Sequence, residues 1–369
     1  MKTNQIKIFI DCHVFDGKPQ GTTTYLKGIY SEVLKNRSII LFLASFNPEK
    51  LKNEFGENEN INYLKYPSKN KFKRLLIDIP LLIKKHKIDY AHFQYIVPPI
   101  KNCKFIVTIH DVLFIDFPHF FPLLYKLKNF PLFYLSAKRS DYVVTVSKYS
   151  KDKIEEHFHL KNILITPNAV DNEFFDDYSK EVEEKHVQNK FNCKEYFLFV
   201  SRREPRKNHL NLLKSFVACN YFDNYKLVCI GSKDIKDKAF DKYYDSLSAE
   251  VKNKVVFLEN LNFADLLAIT RAAKIAIYPS FAEGFGIPPL ESIAANIPTI
   301  CSNKTAMSDF EFMQEFLFDP NSVEEISNKI KYALNVELTN NLREIVKKRY
   351  SWVSSADVLT TIFLSKNNL

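Results

Sequence analysis

Two patterns alternate along the chain: short apolar runs, and longer stretches in which apolar residues recur every three or four positions. The first predicts buried strands and the second amphipathic helices. In the first half, strands fall at 7–11, 38–44, 90–93, 105–109 and 142–146, and helices at 25–35, 75–86 and 125–138, with a turn-forming stretch over 16–24. The alternation restarts with strands at 196–200, 226–230, 255–258, 275–278 and 299–301, separated by helices at 210–218, 264–271 and 288–295. Strands joined through helices pair in parallel, so each set predicts a parallel sheet covered by helices. Residues 172–190 are polar with little periodicity and read as a linker. The expected fold class is α/β: two doubly wound domains in tandem, 1–171 and 191–349, with a terminal helix at 350–369. Ligands of open parallel sheets bind beyond the carboxyl ends of the strands, so such a pair is expected to share a cleft.

The 369 residues suffice for two cores, and 46% hydrophobic with 26% charged residues excludes a disordered chain and a coiled coil. No uncharged apolar run approaches the roughly 20 residues of a membrane helix, and residues 6–10 are too short for a signal-peptide core; a cytoplasmic protein is expected. The six cysteines (Cys12, Cys103, Cys193, Cys219, Cys229, Cys301) form no C-x-x-C pair, which points away from zinc and redox chemistry. No G-x-G-x-x-G, Walker A or G-x-S-x-G motif is present.

Charge is unevenly shared. Residues 1–170 carry 26 Lys+Arg against 15 Asp+Glu, and the remainder 26 against 28. A basic first half favours an anionic surface as partner. Lys69, Lys71, Lys73, Arg74, Lys84, Lys85 and Lys87 flank an apolar centre at 75–83, and Phe117-Pro118-His119-Phe120-Phe121-Pro122 leads into an aromatic helix ending in Lys138-Arg139. Basic residues beside aromatics suit an anionic membrane surface. They lie apart from any base-stacking motif, so no nucleic acid partner is expected.

The most informative stretch runs from strand 275–278 through Glu283-Gly284-Phe285-Gly286 to a proline-led helix containing Glu291. Amides of a glycine loop at the positive end of a helix suit a diphosphate. Carboxylates beside such a site need another target, and sugar or ribose hydroxyls provide it. A sugar nucleotide fits both demands.

Glu283 and Glu291 match the E-x7-E motif of the retaining glycosyltransferase family four, enzymes of GT-B architecture that include bacterial mannosyl-, rhamnosyl- and fucosyltransferases. Other segments resemble the family in the right order: Thr108-Ile109-His110-Asp111, Thr145-Val146-Ser147, Pro167-Asn168-Ala169-Val170-Asp171, Glu204-Pro205-Arg206-Lys207-Asn208 and Tyr350-Ser351-Trp352. Three positions depart from the pattern: Ser201, Ala169 and Glu259 stand where glycine is usual. The resemblance implies two Rossmann-like domains facing across a cleft, with the terminal helix crossing back toward the first.

It also implies the site. Glu283 would bond the donor sugar, with Gly284, Phe285 and Gly286 on sugar and phosphate and Glu291 on the ribose. Arg206 and Lys207 would neutralise the leaving diphosphate in place of a metal, for which Asp-x-Asp is missing. His110 would reach the donor sugar from the first domain, Gly21 would approach the diphosphate or acceptor, and the base would lie near Gly231, Leu258 and Leu266. The expected enzyme is a retaining, metal-independent hexosyltransferase without cofactor. It would use GDP-mannose, dTDP-rhamnose, GDP-fucose or a UDP-hexose, and a glycan or polyprenyl-linked acceptor of surface polysaccharide, at the inner face of the cytoplasmic membrane. A noncatalytic sugar-nucleotide-binding subunit is the alternative.

Overall fold

The computed structural model describes residues 5–17, 20–233, 235–336 and 340–365. They divide into two compact units, 1–169 with 351–369, and 170–350.

The first unit runs β1 (Ile6–Asp11), α1 (Gly21–Val33), β2 (Ile39–Ser45), α2 (Pro48–Phe55), β3 (Ile61–Lys65), α3 (Lys71–Lys73), a π turn (Arg74–Asp78), α4 (Ile79–His86), β4 (Tyr90–Gln94), β5 (Lys104–Thr108), α5 (Leu113–Asp116), α6 (Leu123–Arg139), β6 (Tyr142–Thr145), α7 (Lys148–Phe158) and β7 (Leu164–Ile165). Its sheet has the order β3-β2-β1-β4-β5-β6-β7 with every pair parallel. Ile8, Phe9 and Ile10 of β1 are wholly buried, as a strand covered on both faces requires. Helix α1 begins inside the stretch expected to be a turn. Gln20 caps it, its N–H donating to Thr23 Oγ1 at 3.1 Å, so the small residues 21–24 form the first turn.

The second unit runs α8 (Lys180–Phe191), β8 (Tyr196–Val200), α9 (His209–Ala218), β9 (Lys226–Ile230), α10 (Lys238–Ser246), α11 (Ala249–Asn253), β10 (Val255–Leu258), α12 (Phe263–Ala272), β11 (Ile275–Tyr278), α13 (Ile287–Ala294), β12 (Thr299–Ser302), β13 (Leu317–Phe318), α14 (Val323–Asn335) and α15 (Asn340–Arg349). The sheet order is β10-β9-β8-β11-β12-β13, again all parallel. Most of the stretch 172–190, expected as a linker, is helical. Only Val187 of α8 is buried, and the helix is held by ion pairs to α12, Glu183 with Arg271 at 3.2 Å and Lys190 with Asp265 at 2.8 Å.

The last helix, α16 (Trp352–Leu364), belongs to the first unit and packs on α1. A side chain at Gly28 would place its Cβ 2.1 Å from the Trp352 ring, so the absence of one lets the indole lie against α1.

Candidate active site

In the second unit the chain winds from β8 through β9 to the edge strand β10, then returns to β11 on the other side of β8. The crevice of a doubly wound sheet opens at such a reversal, beyond the carboxyl ends of the two strands. Both loops leaving β8 and β11 carry the predicted charges, and Asn208 stitches them together. Held at φ 62°, it donates its amide to the carbonyls of Pro279 at 2.9 Å and Pro320 at 2.8 Å while capping α9 through Asn211 N–H. Phe281 N–H donates to the Arg206 carbonyl at 2.9 Å.

The result is a compact ionic cluster. Glu283 accepts from Lys207 Nζ at 2.6 Å through Oε1 and from Arg206 at 3.1 Å through Oε2. Arg206 also bonds Glu204 at 2.6 Å and the Ala282 carbonyl. Burial would raise the pKa of Glu283, but the charges of Lys207 and Arg206 and hydrogen bonds from Lys207 and Ser280 outweigh it and hold it down at about 2. Burial pulls the Lys207 pKa down, while Glu283 opposes that pull. An ammonium has three donors, and Lys207 spends one on Glu283. The Glu283 backbone is fixed as well, its N–H donating to Thr305 Oγ1 at 2.8 Å.

Beyond Glu283 the chain passes Gly284 and the buried Phe285, whose ring meets Phe310 and Tyr350 edge-on at 6.1 and 5.7 Å. Gly286, at φ 102°, is the N-cap of α13, a conformation that L side chains rarely adopt. Pro288 and Pro289 occupy the first turn of α13. Having no N–H, they remove two of the donors a helix start leaves without partners, and the N-cap Gly286 and Ile287 supply the rest. Glu291 lies on the following turn. Burial, aided by the Asp171 carboxylate, raises its pKa to about 8, so it is a neutral acid at pH 7.

Gly231 and Leu258 meet at the ends of β9 and β10, where Gly231 N–H donates to the Leu258 carbonyl at 2.9 Å. Gly231 has φ 142°, and a Cβ there would lie 2.3 Å from the Ser201 carbonyl oxygen. The close approach of these two loops therefore depends on Gly231, while Ser201 is accommodated. Leu266 is half-buried on α12. Glu259 pairs with Arg203 at 2.6 Å, and Arg203 lies 4.5 Å over the Phe257 ring.

His110 follows β5 in the first unit, within a buried network of neutral groups. Its Nε2 bonds Gln94 Oε1 at 2.7 Å, and its ring stands edge-on to Tyr25 at 5.0 Å. His92 bonds Tyr30 at 2.6 Å and Thr108 at 2.7 Å, and the Tyr25 hydroxyl bonds Thr166 at 2.7 Å and Thr108 at 3.2 Å. Burial holds His110 down at about 4, and burial together with His110 holds His92 at about 3. Gly21 opens α1, and a Cβ there would meet nothing within 4 Å, so the fold does not require a glycine at this position.

Two family models divide the chain between them: Glycosyltransferase Family 4 matches residues 21–174, and Glycosyl transferases group 1 matches 181–351. The chain is a family-four-like glycosyltransferase. This glycosyltransferase is 30% identical over 214 residues to the O-antigen chain mannosyltransferase RfbU of Salmonella typhimurium, covering 57% of this chain and 54% of that one. It is 26% identical over 302 residues to the O-antigen chain mannosyltransferase B of Escherichia coli, covering 74% and 77%. The chain thus spans about half the length of the Salmonella relative. Its fold matches the solved structure of Anabaena Alr3699/HepE in complex with UDP-glucose, with TM-score 0.74 at 15% identity over 98% of this chain and 100% of that one. Two parallel α/β units of this kind are the two Rossmann-like domains of the GT-B architecture.

Of the residues singled out by sequence, the glycosyltransferase brings Glu283, Arg206 and Lys207 into direct contact and places Gly284, Phe285 and Gly286 on the same loop. Gly231 and Leu258 form a second group, and His110 and Gly21 lie in the other unit. Sequence reasoning missed Thr305 and the network partners Tyr25, Tyr30, His92 and Gln94. Gln94 and His92 carry a signal, since they are polar residues in a strand buried throughout.

Proposed function

We propose that the chain is a retaining hexosyltransferase that moves a sugar from a nucleoside diphosphate to a glycan or lipid-linked glycan in O-antigen or capsule assembly. The observation that carries this reading is the Glu283 carboxylate, held ionised between Lys207 and Arg206 where β8 and β11 diverge. Lys207 turns its remaining donors to the leaving diphosphate, supported by Arg206 and the start of α13, and these fixed charges take the role a metal would have. Glu283 accepts from a donor-sugar hydroxyl, Glu291 serves the ribose, and Gly231, Leu258 and Leu266 border the base. His110, neutral at pH 7, acts as a hydrogen-bonding partner of the sugar. In front-face transfer the bond from the anomeric carbon to the diphosphate oxygen breaks. The departing oxygen takes the acceptor's proton, and the acceptor oxygen bonds the anomeric carbon on the same face.

The names of the relatives favour a mannose donor, and the UDP-glucose complex of the structural neighbour supports a nucleotide sugar. A peripheral position at the inner face of the cytoplasmic membrane fits a lipid-linked acceptor. Among the described residues no helix is long and apolar enough to cross a membrane.

The test is release of nucleoside diphosphate from UDP-, GDP- and dTDP-sugars, with and without EDTA and lipid-linked acceptor, in wild type and Glu283→Ala. Release from one donor, resistant to EDTA and lost in the variant, is the expected result. Tight donor binding without turnover under every condition would instead make the chain a noncatalytic subunit.

A further inference from the structure

Two neighbouring segments of the first unit turn apolar side chains outward. Along α3, the π turn and α4, Phe72 is 64% exposed and Leu81 61%, with Leu76 and Ile77 about half exposed, whereas Arg74 and Asp78 are buried. The usual sorting of an amphipathic helix is inverted in the π turn, while Ile79 and Ile83 of α4 still face the core. The wider winding of the π turn carries Arg74 inward to the buried Asp11, 3.4 Å away, and over the Tyr66 ring. Helix α6 also presents Leu123, Leu124, Leu127 and Phe130 to the surface at a spacing that shares one face, Leu124 being 80% exposed.

Between the segments lies a groove of about 410 Å³, walled by Leu75, Val97, Leu132 and Leu135 and bordered by Lys71 and Lys128. That volume falls in the range of roughly 300–1,000 Å³ typical of ligand sites. Lys128 stands close enough to Lys71 to lower its pKa through hydrogen bonding and repulsion. Among the described residues no carboxylate lines the groove; Asp78, which is buried, is the sole carboxylate in 68–87, and 117–139 contains none. A protein helix would fill an apolar groove equally well, but paired lysines at its mouth and acid-free flanks favour a phosphate.

We propose that the groove seats the hydrocarbon chain of a membrane lipid, with the lipid phosphate between Lys71 and Lys128 and the exposed leucines of α6 in the leaflet. The inference concerns a surface remote in sequence from the Glu283 cluster and does not depend on the glycosyl-transfer reading.

Calorimetry on the full chain with dodecyl phosphate, below its critical micelle concentration, tests the groove, with inorganic phosphate as control. Sedimentation with vesicles of phosphatidylcholine, with and without phosphatidylglycerol, tests the face. Dodecyl phosphate is expected to bind and inorganic phosphate not. Lys71→Gln with Lys128→Gln is expected to weaken binding roughly tenfold, the loss of a charge-assisted hydrogen bond. Leu135→Trp, which fills the groove, is expected to abolish dodecyl phosphate binding and spare sedimentation with the phosphatidylglycerol vesicles. Leu124→Glu with Leu127→Glu is expected to do the reverse. All three variants should release nucleoside diphosphate from a soluble donor at the wild-type rate, which separates failure here from failure of the catalytic assignment. Absent dodecyl phosphate binding, binding indifferent to Leu135→Trp and the lysine pair, or self-association lost in Leu124→Glu with Leu127→Glu would each overturn the proposal.

Discussion

The two units share one strand order around their first strand, yet they fill the region beyond their strands with opposite kinds of polarity. The second unit holds full charges, Glu283 and Glu204 against Arg206 and Lys207, largely buried and balanced within the cluster. The first unit holds neutral groups, with His110, His92, Gln94, Tyr25, Tyr30 and Thr108 joined by hydrogen bonds and both histidines kept uncharged. A buried charge is tolerable only when paired, so a paired cluster can exchange a carboxylate partner for a phosphate. A neutral network has no such counter-ion to exchange and is suited to hydroxyl groups. On the proposed reading, the same topology would serve the leaving group in one unit and uncharged substrate atoms in the other.

The sharpest way to break this contrast is to remove Glu283. Glu283→Ala leaves Lys207 largely buried without its carboxylate while Arg206 keeps Glu204, and loss of one partner from a buried pair costs about 3–5 kcal/mol. Turnover should fall by about a hundredfold or more, as for loss of a preorganised electrostatic contact. Glu283→Gln should recover much of the stability and little of the turnover. Chemical denaturation and nucleoside diphosphate release together check both halves. Equal recovery of both by glutamine would mean that the carboxylate charge is not used in turnover.

Acid should separate the units next. An unfolded histidine titrates near 6.5, whereas His110 and His92 titrate at about 4 and 3 in the folded chain. Below pH 6.5 the unfolded state takes up protons that the folded state refuses. The stability these histidines confer is complete above 6.5 and declines as pH falls, by about 1.4 kcal/mol per pH unit for each. In the second unit His209, lowered to about 3 by burial and by Arg203 and Lys207, acts in the same direction. Glu291 opposes it: raised to about 8, it is a destabilising influence at neutral pH that is relieved as pH falls toward 4.5. Glu283 contributes above 4.5 and loses its contribution only as pH falls toward 2. Between pH 6.5 and 5, amide exchange corrected for its intrinsic rate should accelerate in β1, β4 and β5 and stay nearly level in β8, β9 and β11. Equal acceleration in both sheets would show that the histidines do not distinguish the units.

Legibility in the sequence follows the same division. The charged site was readable because its parts sit at fixed offsets within two short loops, glycine and proline marking the backbone and Glu283, Arg206 and Lys207 the chemistry. The neutral network was not, because Tyr25 and Tyr30 on α1, His92 on β4 and Thr166 after β7 are brought together only when the sheet assembles, and look like ordinary core or strand residues until then. Thr305 is equally silent, since its partner is a backbone N–H. The central strands β1, β4, β8, β9 and β11, and the edge strand β10, were visible as apolar runs. Helix α8 was not, because a helix polar on nearly all sides has no periodicity to show and is held instead by ion pairs to residues about eighty positions away.

The smallest effect expected is at Glu291, which belongs to the charged unit by position but to the neutral one by protonation. At pH 7 it carries a proton, so Glu291→Gln replaces one neutral hydrogen-bonding group by another. Affinity for the cognate nucleoside diphosphate should then change by less than about fivefold, within the range of a single neutral hydrogen bond. Raising the pH through 8 ionises the wild-type side chain and turns it into an acceptor for ribose hydroxyls, though close to a diphosphate. Wild-type affinity should therefore depend on pH between 7 and 9, and affinity of the glutamine variant should not. Titration calorimetry at pH 7, 8 and 9 measures the difference, and identical pH profiles for the two proteins would remove Glu291 from the nucleotide site.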